Sequence, residues 1–157
     1  MSTTVSVGSV RWGVKSSFVR YVRLIAAGTC EAAGGASLDA DDVFEFPVVE
    51  TTQSDGMWTL SCGGSARFNA HHGFLDVVLS RLRIELGSEG GSIGIGAGPG
   101  EWVVIATVPP ASPVGSDGRL SWSGVVPSLT DVGSEVLGSV YPAGSELAPL
   151  DVALPID

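Results

Sequence analysis

One tyrosine and two adjacent histidines are the side chains of this sequence whose chemistry fits together. Tyr21 ends the stretch Trp12-Gly-Val-Lys-Ser-Ser-Phe-Val-Arg-Tyr21, and His71 and His72 are the two histidines of the chain. A phenolate oxygen is a hard anionic ligand that suits Fe(III), and tyrosinate is one of the proximal ligands that haem proteins use. A neighbouring histidine can accept the phenol proton or donate a hydrogen bond to the phenolate, which fixes its direction. The residue types therefore predict a ferric-haem site with Tyr21 as the metal ligand.

The segment around Tyr21 is the only long stretch with a helical repeat, and it predicts a helix over residues 14–27. Ser16 or Ser17 is expected to begin this helix and Gly28 to end it. Ser17 and Phe18 lie one turn before Tyr21, so we expect them to line the same side of a pocket. The alternative is a core tyrosine whose hydroxyl is simply hydrogen-bonded. The apolar residues that recur at the spacing of one helix face are Val14, Phe18, Tyr21, Val22 and Ile25.

The two histidines follow a predicted strand and are followed by a glycine. If the strand from Ser65 continues, His72 shares a face with Phe68, whereas His71 points to the opposite side. Alternation therefore lets only one histidine face a given pocket. The pair also fits a surface position at the end of a strand.

The rest of the chain predicts short strands separated by turns, because 22 glycines and 9 prolines lie between short apolar runs. Pro47 should make its strand an edge or a break, and Gly63-Gly64 should form a bulge. Ser128 has capping-box spacing to Asp131, which predicts a second short helix at about 129–138. The expected fold is mainly β, an antiparallel β-sandwich with two short helices, in one domain spanning residues 1–157. Strands are expected at about 3–11, 43–49, 57–62, 65–70, 74–86, 101–109, 119–126 and 146–154.

The charge of the chain argues against nucleic acid as a partner. The net charge is −9, whereas phosphate binding needs clustered Lys and Arg. Residues 1–30 nevertheless hold Arg11, Lys15, Arg20 and Arg23 and no acidic residue. Lys15, Arg20 or Arg23 can meet the propionates of a haem. The alternative for this basic cluster is the ordinary solubility of a helix.

The sequence gives few signs of compartment. No apolar run reaches 18 residues, so no transmembrane helix is predicted. The N-terminus lacks the basic and then apolar pattern of a secretion signal. As written, the chain indicates a cytoplasmic protein, or a secreted or cell-surface one if a signal precedes it. Cys30 and Cys62 could form one disulfide or stay as two free thiols.

Three other sites are rejected. The segment Gly90-Gly-Ser-Ile-Gly94 fits a nucleophile-elbow pattern, but the glycines and proline after it cannot supply the required helix. Gly94-Ile-Gly96 is no dinucleotide fingerprint because Pro99 stands where a glycine is needed. Cys30, Cys62 and the two histidines have zinc-ligand types but none of the paired spacing of structural zinc sites.

Several of these motifs, in this order, resemble the HtaA-type haem-binding domain of bacterial haem-uptake proteins. The segment Trp12 to Tyr21 is similar to its opening signature, and the match runs over about residues 9–154. Further similar segments are Phe44-Glu-Phe-Pro47, Ser65 to Ser80 with its His-Gly-Phe-Leu-Asp core, Ser121-Trp-Ser-Gly124 and Tyr141-Pro-Ala-Gly144.

This resemblance implies one haem bound through an axial tyrosine that is hydrogen-bonded to a histidine, for haem uptake, transfer or storage rather than catalysis. The tyrosine corresponds to Tyr21, and the histidine corresponds best to His71, with His72 as the alternative. Another haem-binding protein is the implied donor or acceptor. Two rivals remain. One is a haem enzyme with peroxidase-like activity that uses His72 or Arg20, and the other is a haem-free interaction or adhesion domain.

Overall fold

The strands form one large sheet and one small sheet. The computed structural model describes residues 8–25, 28–70 and 75–155. Within these ranges every strand pairing is antiparallel. β3 (Ser37–Leu38) joins the large sheet by pairing with β4. The other strands of that sheet lie in the order β11 (Val114–Ser116), β12 (Arg119–Val125), β14 (Leu150–Pro155), β1 (Gly8–Trp12), β4 (Phe44–Ser54), β5 (Met57–Cys62), β8 (Arg83–Gly87), β9 (Gly91–Gly98), β10 (Glu101–Val108) and β13 (Ser128–Leu129).

The large sheet curls so that distant strands face each other across a buried core. Trp58 on β5 and Trp122 on β12 meet edge to face with ring centroids 5.7 Å apart, although three strands separate β5 from β12. The small sheet has the order β2 (Thr29–Ala33), β6 (Ser65–Ala70), β7 (Leu75–Ser80). Phe68 on β6 packs against Phe44 on β4 at 5.5 Å, which joins the two sheets. The predicted antiparallel β-sandwich is therefore confirmed.

Both predicted helices are present, but their bounds differ from the prediction. α1 (Ser16–Arg20) continues directly as a π turn (Tyr21–Ile25), instead of one α-helix over 14–27. We call Ser16–Ile25 the tyrosine helix. It begins at Ser16, as predicted, and its N-cap is Lys15, which makes no side-chain capping bond. Residues 26–27 lie outside the described residues.

The second helix, α2 (Asp131–Val136), is shorter than predicted and has a different cap. The Thr130 hydroxyl accepts a hydrogen bond from the Gly133 N–H at 3.0 Å. Ser128 instead belongs to β13, which pairs with β10. The N-cap is therefore Thr130, two residues after Ser128, from which the capping box was predicted.

Pro47 lies inside an interior strand, so its assignment to an edge or a break was wrong. β4 is hydrogen-bonded to β1 on one side and to β5 on the other. The Pro47 carbonyl accepts a hydrogen bond from the Gly63 N–H at 2.8 Å. A residue's nitrogen and carbonyl point to the same side of a strand, so the Pro47 nitrogen faces Gly63, where β5 has just ended. The missing N–H of Pro47 therefore costs β4 no hydrogen bond to β5.

The strand predicted over 74–86 is two strands in different sheets. β7 ends at Ser80 and β8 begins at Arg83. Arg81 between them has a φ of +53°, in the left-handed region that interrupts extended backbone. Gly63-Gly64 is likewise a crossing between the sheets rather than a bulge, because β5 lies in the large sheet and β6 in the small one.

Other differences concern loops that contain strands. β2, β3 and β11 lie in segments that none of the expected strands covers. The first strand is described from Gly8 and ends at Trp12 rather than residue 11, and the last is Leu150–Pro155 rather than about 146–154. Over the described ranges, no helix is long and apolar enough to cross a membrane.

Candidate functional site

The tyrosine helix is held at its start by a strained, hydrogen-bonded turn. Val14 adopts a φ of +62°, which is rare for a β-branched residue. Its carbonyl accepts a hydrogen bond from the Ala148 N–H at 2.8 Å, and the Ala148 carbonyl accepts one from the Trp12 indole Nε1 at 3.0 Å. Lys15 Nζ donates to the Glu146 carbonyl at 2.8 Å. These bonds fix the start of the helix against residues 146–148.

Phe18 anchors the buried face of the helix. Its side chain is fully buried and meets the Phe68 ring edge to face at 5.0 Å. Its ring also meets Tyr141 at 6.3 Å. Val22 is fully buried as predicted, and Val19, which the predicted face omitted, is buried too. The side chain of Ile25 lies outside the described residues.

Tyr21 stands where α-helical geometry gives way to the π turn. Its side chain is half-buried and packs against the core, whereas Ser17 one turn earlier is exposed. π turns are rare and occur frequently at functional sites. A tyrosine that belonged only to the core would be more completely buried than Tyr21, which is partly exposed.

The chain that leaves the π turn lies against the end of β6. A Cβ built on Gly28 would lie 2.1 Å from the Asn69 carbonyl oxygen and 2.7 Å from the Ala70 Cβ. Thr29 then pairs with Asn69 in the small sheet. Ala70 is the last residue of β6 and immediately precedes His71 in the sequence. The fold therefore brings the end of the tyrosine helix beside the strand that leads into the histidine pair.

His71 and His72 themselves lie outside the described residues, as do Gly73 and Phe74. Ala70 pairs with Leu75 across β6 and β7, so the two strands flank this four-residue connection on both sides. The choice between His71 and His72 as the partner of Tyr21 therefore rests on the sequence alone.

The segment 138–141, which follows α2, forms a further side of the candidate site around Tyr21. A Cβ built on Gly138 would lie 3.2 Å from Leu75 Cδ1, so this backbone lies directly against the start of β7. Val140 is 53% exposed and Tyr141 is half-buried against Phe18. The sequence argument did not assign Leu75, Val140 or Tyr141 to the site. The segment Tyr141-Pro-Ala-Gly144 was nevertheless part of the resemblance and was the available signal.

The three candidate propionate partners differ in their surroundings. Arg23 forms an ion pair with Asp42 at 2.9 Å. Lys15 Nζ lies 4.8 Å above the centre of the Tyr141 ring, close to the aromatic wall. Arg20 is exposed and forms no ion pair with any described residue. Lys15 and Arg20 therefore keep cationic groups that no carboxylate of the described chain neutralises.

A cleft of about 760 Å³ lies beside the tyrosine helix. All four basic residues of the N-terminal cluster line it, together with Asp41, Asp42, Glu146 and Asp151. Ser17, Phe18 and Tyr21 do not line it. Tyr21 is therefore not part of the cleft lining, and the mixed charges of the cleft do not favour one sign of ligand.

The cysteines are free thiols, so the disulfide left open by the sequence does not form. Burial raises the pKa of the Cys62 thiol to about 12. Burial also raises the pKa of Cys30, against the lowering effect of the neighbouring Arg23 guanidinium. Among the described residues no three His, Cys, Asp or Glu side chains cluster as metal ligands.

Comparison with known proteins identifies relatives of the whole fold. No curated protein matches the chain. The C-terminal domain of HtaA from Corynebacterium glutamicum has a TM-score of 0.80 and 24% identity, with 94% of this chain and 95% of that chain covered. The N-terminal domain of the same protein has a TM-score of 0.79 and 24% identity, with 99% of each chain covered. The haem-binding protein HtaB of that organism has a TM-score of 0.73 and 21% identity, with 94% and 92% covered. A family profile, Htaa, matches residues 7–153, and the chain therefore belongs to the HtaA family.

Proposed function

We propose that this chain binds one ferric haem through Tyr21 as axial tyrosinate, hydrogen-bonded to one histidine of the 71–72 pair. The observation that carries the proposal is the position of Tyr21. It is half-buried at the start of a π turn whose exit lies against Asn69 and Ala70, directly before His71. Family membership supports haem as the ligand, since HtaB is a haem-binding protein.

The side chains around Tyr21 fit a porphyrin. The half-buried Tyr141 ring packs on the buried Phe18, and Leu75 and Val140 add apolar surface on the same side of the site. A porphyrin needs this kind of wide apolar contact as well as an axial ligand. Exposed Ser17, one turn before Tyr21, lies at the rim, where a hydroxyl can hydrogen-bond to the ligand.

Lys15 is the proposed propionate partner, with Arg20 as the second. The Lys15 ammonium lies over the Tyr141 ring and pairs with no carboxylate in the described part of the chain, so a propionate would complete a charge-assisted hydrogen bond. Arg23 is the least suitable of the three because Asp42 already pairs with it.

A bound haem would supply Fe(III), which is the Lewis acid that a phenolate oxygen prefers. Tyr21 must give up its phenolic proton to act as a ligand. A histidine beside it can take this proton and then hold the oxygen by a hydrogen bond. The resemblance favours His71 for this role, whereas the alternation expected from the sequence favours His72.

The role that fits this ligation is a carrier or store that exchanges haem with another haem-binding protein, without catalysis. A phenolate binds Fe(II) less well than Fe(III), and protonation removes the ligand, so reductant and low pH should favour release. Haem retention unchanged after dithionite would contradict this part of the proposal. Peroxidase turnover well above that of free haem, lost in His72→Ala, would favour the enzyme alternative.

A haemin titration with two tyrosine variants tests the proposal. Tyr21 and Tyr141 are the only tyrosines of the chain, so Tyr141→Phe is a matched control that loses one hydroxyl from the same neighbourhood. We expect a high-spin tyrosinate-type Soret spectrum in the wild type and in Tyr141→Phe, and its loss in Tyr21→Phe. His71→Ala and His72→Ala should differ, with one altering the spectrum and the other leaving it intact. No saturable binding by the wild type would support the haem-free alternative.

A further inference from the structure

A cationic and aromatic patch lies on the outer face of strands β8, β9 and β10. We call Arg81, Arg83, Trp102 and Val104 the arginine–tryptophan patch. The guanidinium carbons of Arg81 and Arg83 lie 4.9 Å and 5.6 Å from the centre of the Trp102 ring. Trp102 is 40% exposed and Val104 is 44% exposed. Two cations and two apolar side chains therefore share one open surface.

The patch is held in place by bonds to backbone. Trp102 Nε1 donates to the Arg81 carbonyl at 3.1 Å, and Arg81 Nη1 donates to the Gly98 carbonyl at 3.0 Å. These bonds fix the indole and one guanidinium before any ligand arrives. A preorganised surface loses less side-chain entropy on binding.

The two guanidiniums of the patch lack a neutralising carboxylate. Neither Arg81 nor Arg83 forms an ion pair with any described residue, although the chain has a net charge of −9. Glu101 lies beside Gly98 and pairs with neither. Two like charges held at one ring favour an anion that bridges them.

The floor of the patch is flat because glycines replace side chains on β9. Gly94 pairs with Val104 and with Arg83, and Gly96 pairs with Trp102. The Arg81 side chain crosses Gly96, with Cδ 2.9 Å from where a Cβ would be. Gly94 has only ordinary contacts to side chains at that position, the Trp102 Cβ being 3.8 Å away. Because Gly94 is buried and Gly96 lies under the Arg81 side chain, a flat ligand would meet the exposed parts of the indole and the valine rather than the strand backbone.

We propose that the arginine–tryptophan patch is a second porphyrin-binding site that recognises the macrocycle by stacking and its two propionates by Arg81 and Arg83, without an axial ligand. A small oxyanion would satisfy the arginines and leave the exposed indole and valine unused, whereas a planar dianion uses all four side chains. This inference rests on the proposed function for its choice of haem as the ligand, but it does not involve Tyr21. Arg81 follows the last residue of β7, and the histidine connection precedes its first, so the two sites lie at opposite ends of that strand.

Metal-free protoporphyrin IX is the probe, because it lacks the iron that Tyr21 would bind. Its fluorescence anisotropy is titrated with protein preloaded with one equivalent of haemin, so that the tyrosine site is occupied and the patch stays free. The test variant is Arg81→Gln/Arg83→Gln, and the control is Arg67→Gln/Arg119→Gln, which removes the same charge elsewhere on the surface. We expect about tenfold weaker binding in the test variant and little change in the control, with wild-type affinity falling as salt is raised.

Trp102→Leu is the second variant, since it keeps an apolar residue in β10 and removes the ring. It should weaken protoporphyrin binding comparably while leaving the haemin Soret spectrum unchanged. Equal protoporphyrin binding by the test and control double variants would overturn the second site and leave the proposed function intact. A wild type without a tyrosinate spectrum that still binds protoporphyrin through Arg81 and Arg83 would overturn the proposed function alone.

Discussion

Two buried tryptophans differ in one respect that can be measured. Trp12 is fully buried and its indole Nε1 donates to the Ala148 carbonyl at 3.0 Å. Trp122 is 2% exposed, and its Nε1 has no hydrogen-bond partner among the described residues. We expect Trp12→Phe to destabilise the fold more than Trp122→Phe, although both substitutions remove the same atoms from the core.

The size of the difference follows from the hydrogen bonds. Trp12→Phe loses a bond and leaves the Ala148 carbonyl without that donor, which costs about 1–3 kcal/mol. Trp122→Phe removes a buried indole N–H that has no acceptor in the described ranges, so it relieves a desolvation penalty of similar size. The cavity costs are comparable, and the smaller ring at 122 loses part of its contact with Trp58, about 0.5–1.5 kcal/mol. The net expected difference is about 3 kcal/mol.

Urea unfolding followed by far-UV circular dichroism measures this difference. With an m-value of about 2 kcal/mol/M, the midpoint of Trp12→Phe should lie about 1.5 M below that of Trp122→Phe. Equal midpoints at equal m-values would refute the assignment of the two indole environments. The same Trp12→Phe protein should also bind haemin more weakly, because the bond to Ala148 helps to fix the start of the tyrosine helix.

Two further predictions use matched pairs. Iodoacetamide at pH 8 should label Cys30 well before Cys62 in the native protein, because Cys62 is 6% exposed and burial raises its pKa to about 12; equal rates followed by mass spectrometry would contradict the burial of Cys62. Gly28→Ala should cost about 1–3 kcal/mol, since the new Cβ would lie 2.1 Å from the Asn69 carbonyl oxygen. Gly13→Ala is the control, because its Cβ would meet nothing closer than 3.5 Å, and it should change stability by less than about 1 kcal/mol. Thermal melts measure both variants, and equal melting temperatures would contradict this prediction.

Local sequence patterns predicted the fold class and most strands, and they failed where tertiary structure decides the outcome. Residues 57–62 and 65–70 were predicted with their observed bounds. The apolar run 74–86 looks continuous, but Arg81 turns the chain from one sheet to the other, and its type carries no signal for a positive φ. Pro47 is tolerated inside β4 because β5 ends opposite its nitrogen, which depends on the pairing register and not on the local sequence.

The candidate site was predicted unevenly for the same reason. Helical periodicity placed Phe18 and Val22 in the core correctly, since periodicity measures burial directly. It could not predict that α-helical geometry ends at Tyr21, because a π turn has no distinct residue signature. Tyr141 reaches Phe18 from 123 positions further along the chain, and only the folded topology reveals that contact.

The most direct test of the central claim is resonance Raman spectroscopy of the ferric haem complex, excited in the phenolate-to-iron charge-transfer band. The protein is prepared with ring-deuterated tyrosine, so that any band from a coordinated phenolate shifts with the label. We predict isotope-sensitive phenolate bands in the wild type and in Tyr141→Phe, and none in Tyr21→Phe. Label-insensitive spectra in the wild type, or phenolate bands that survive Tyr21→Phe, would contradict Tyr21 as the axial ligand.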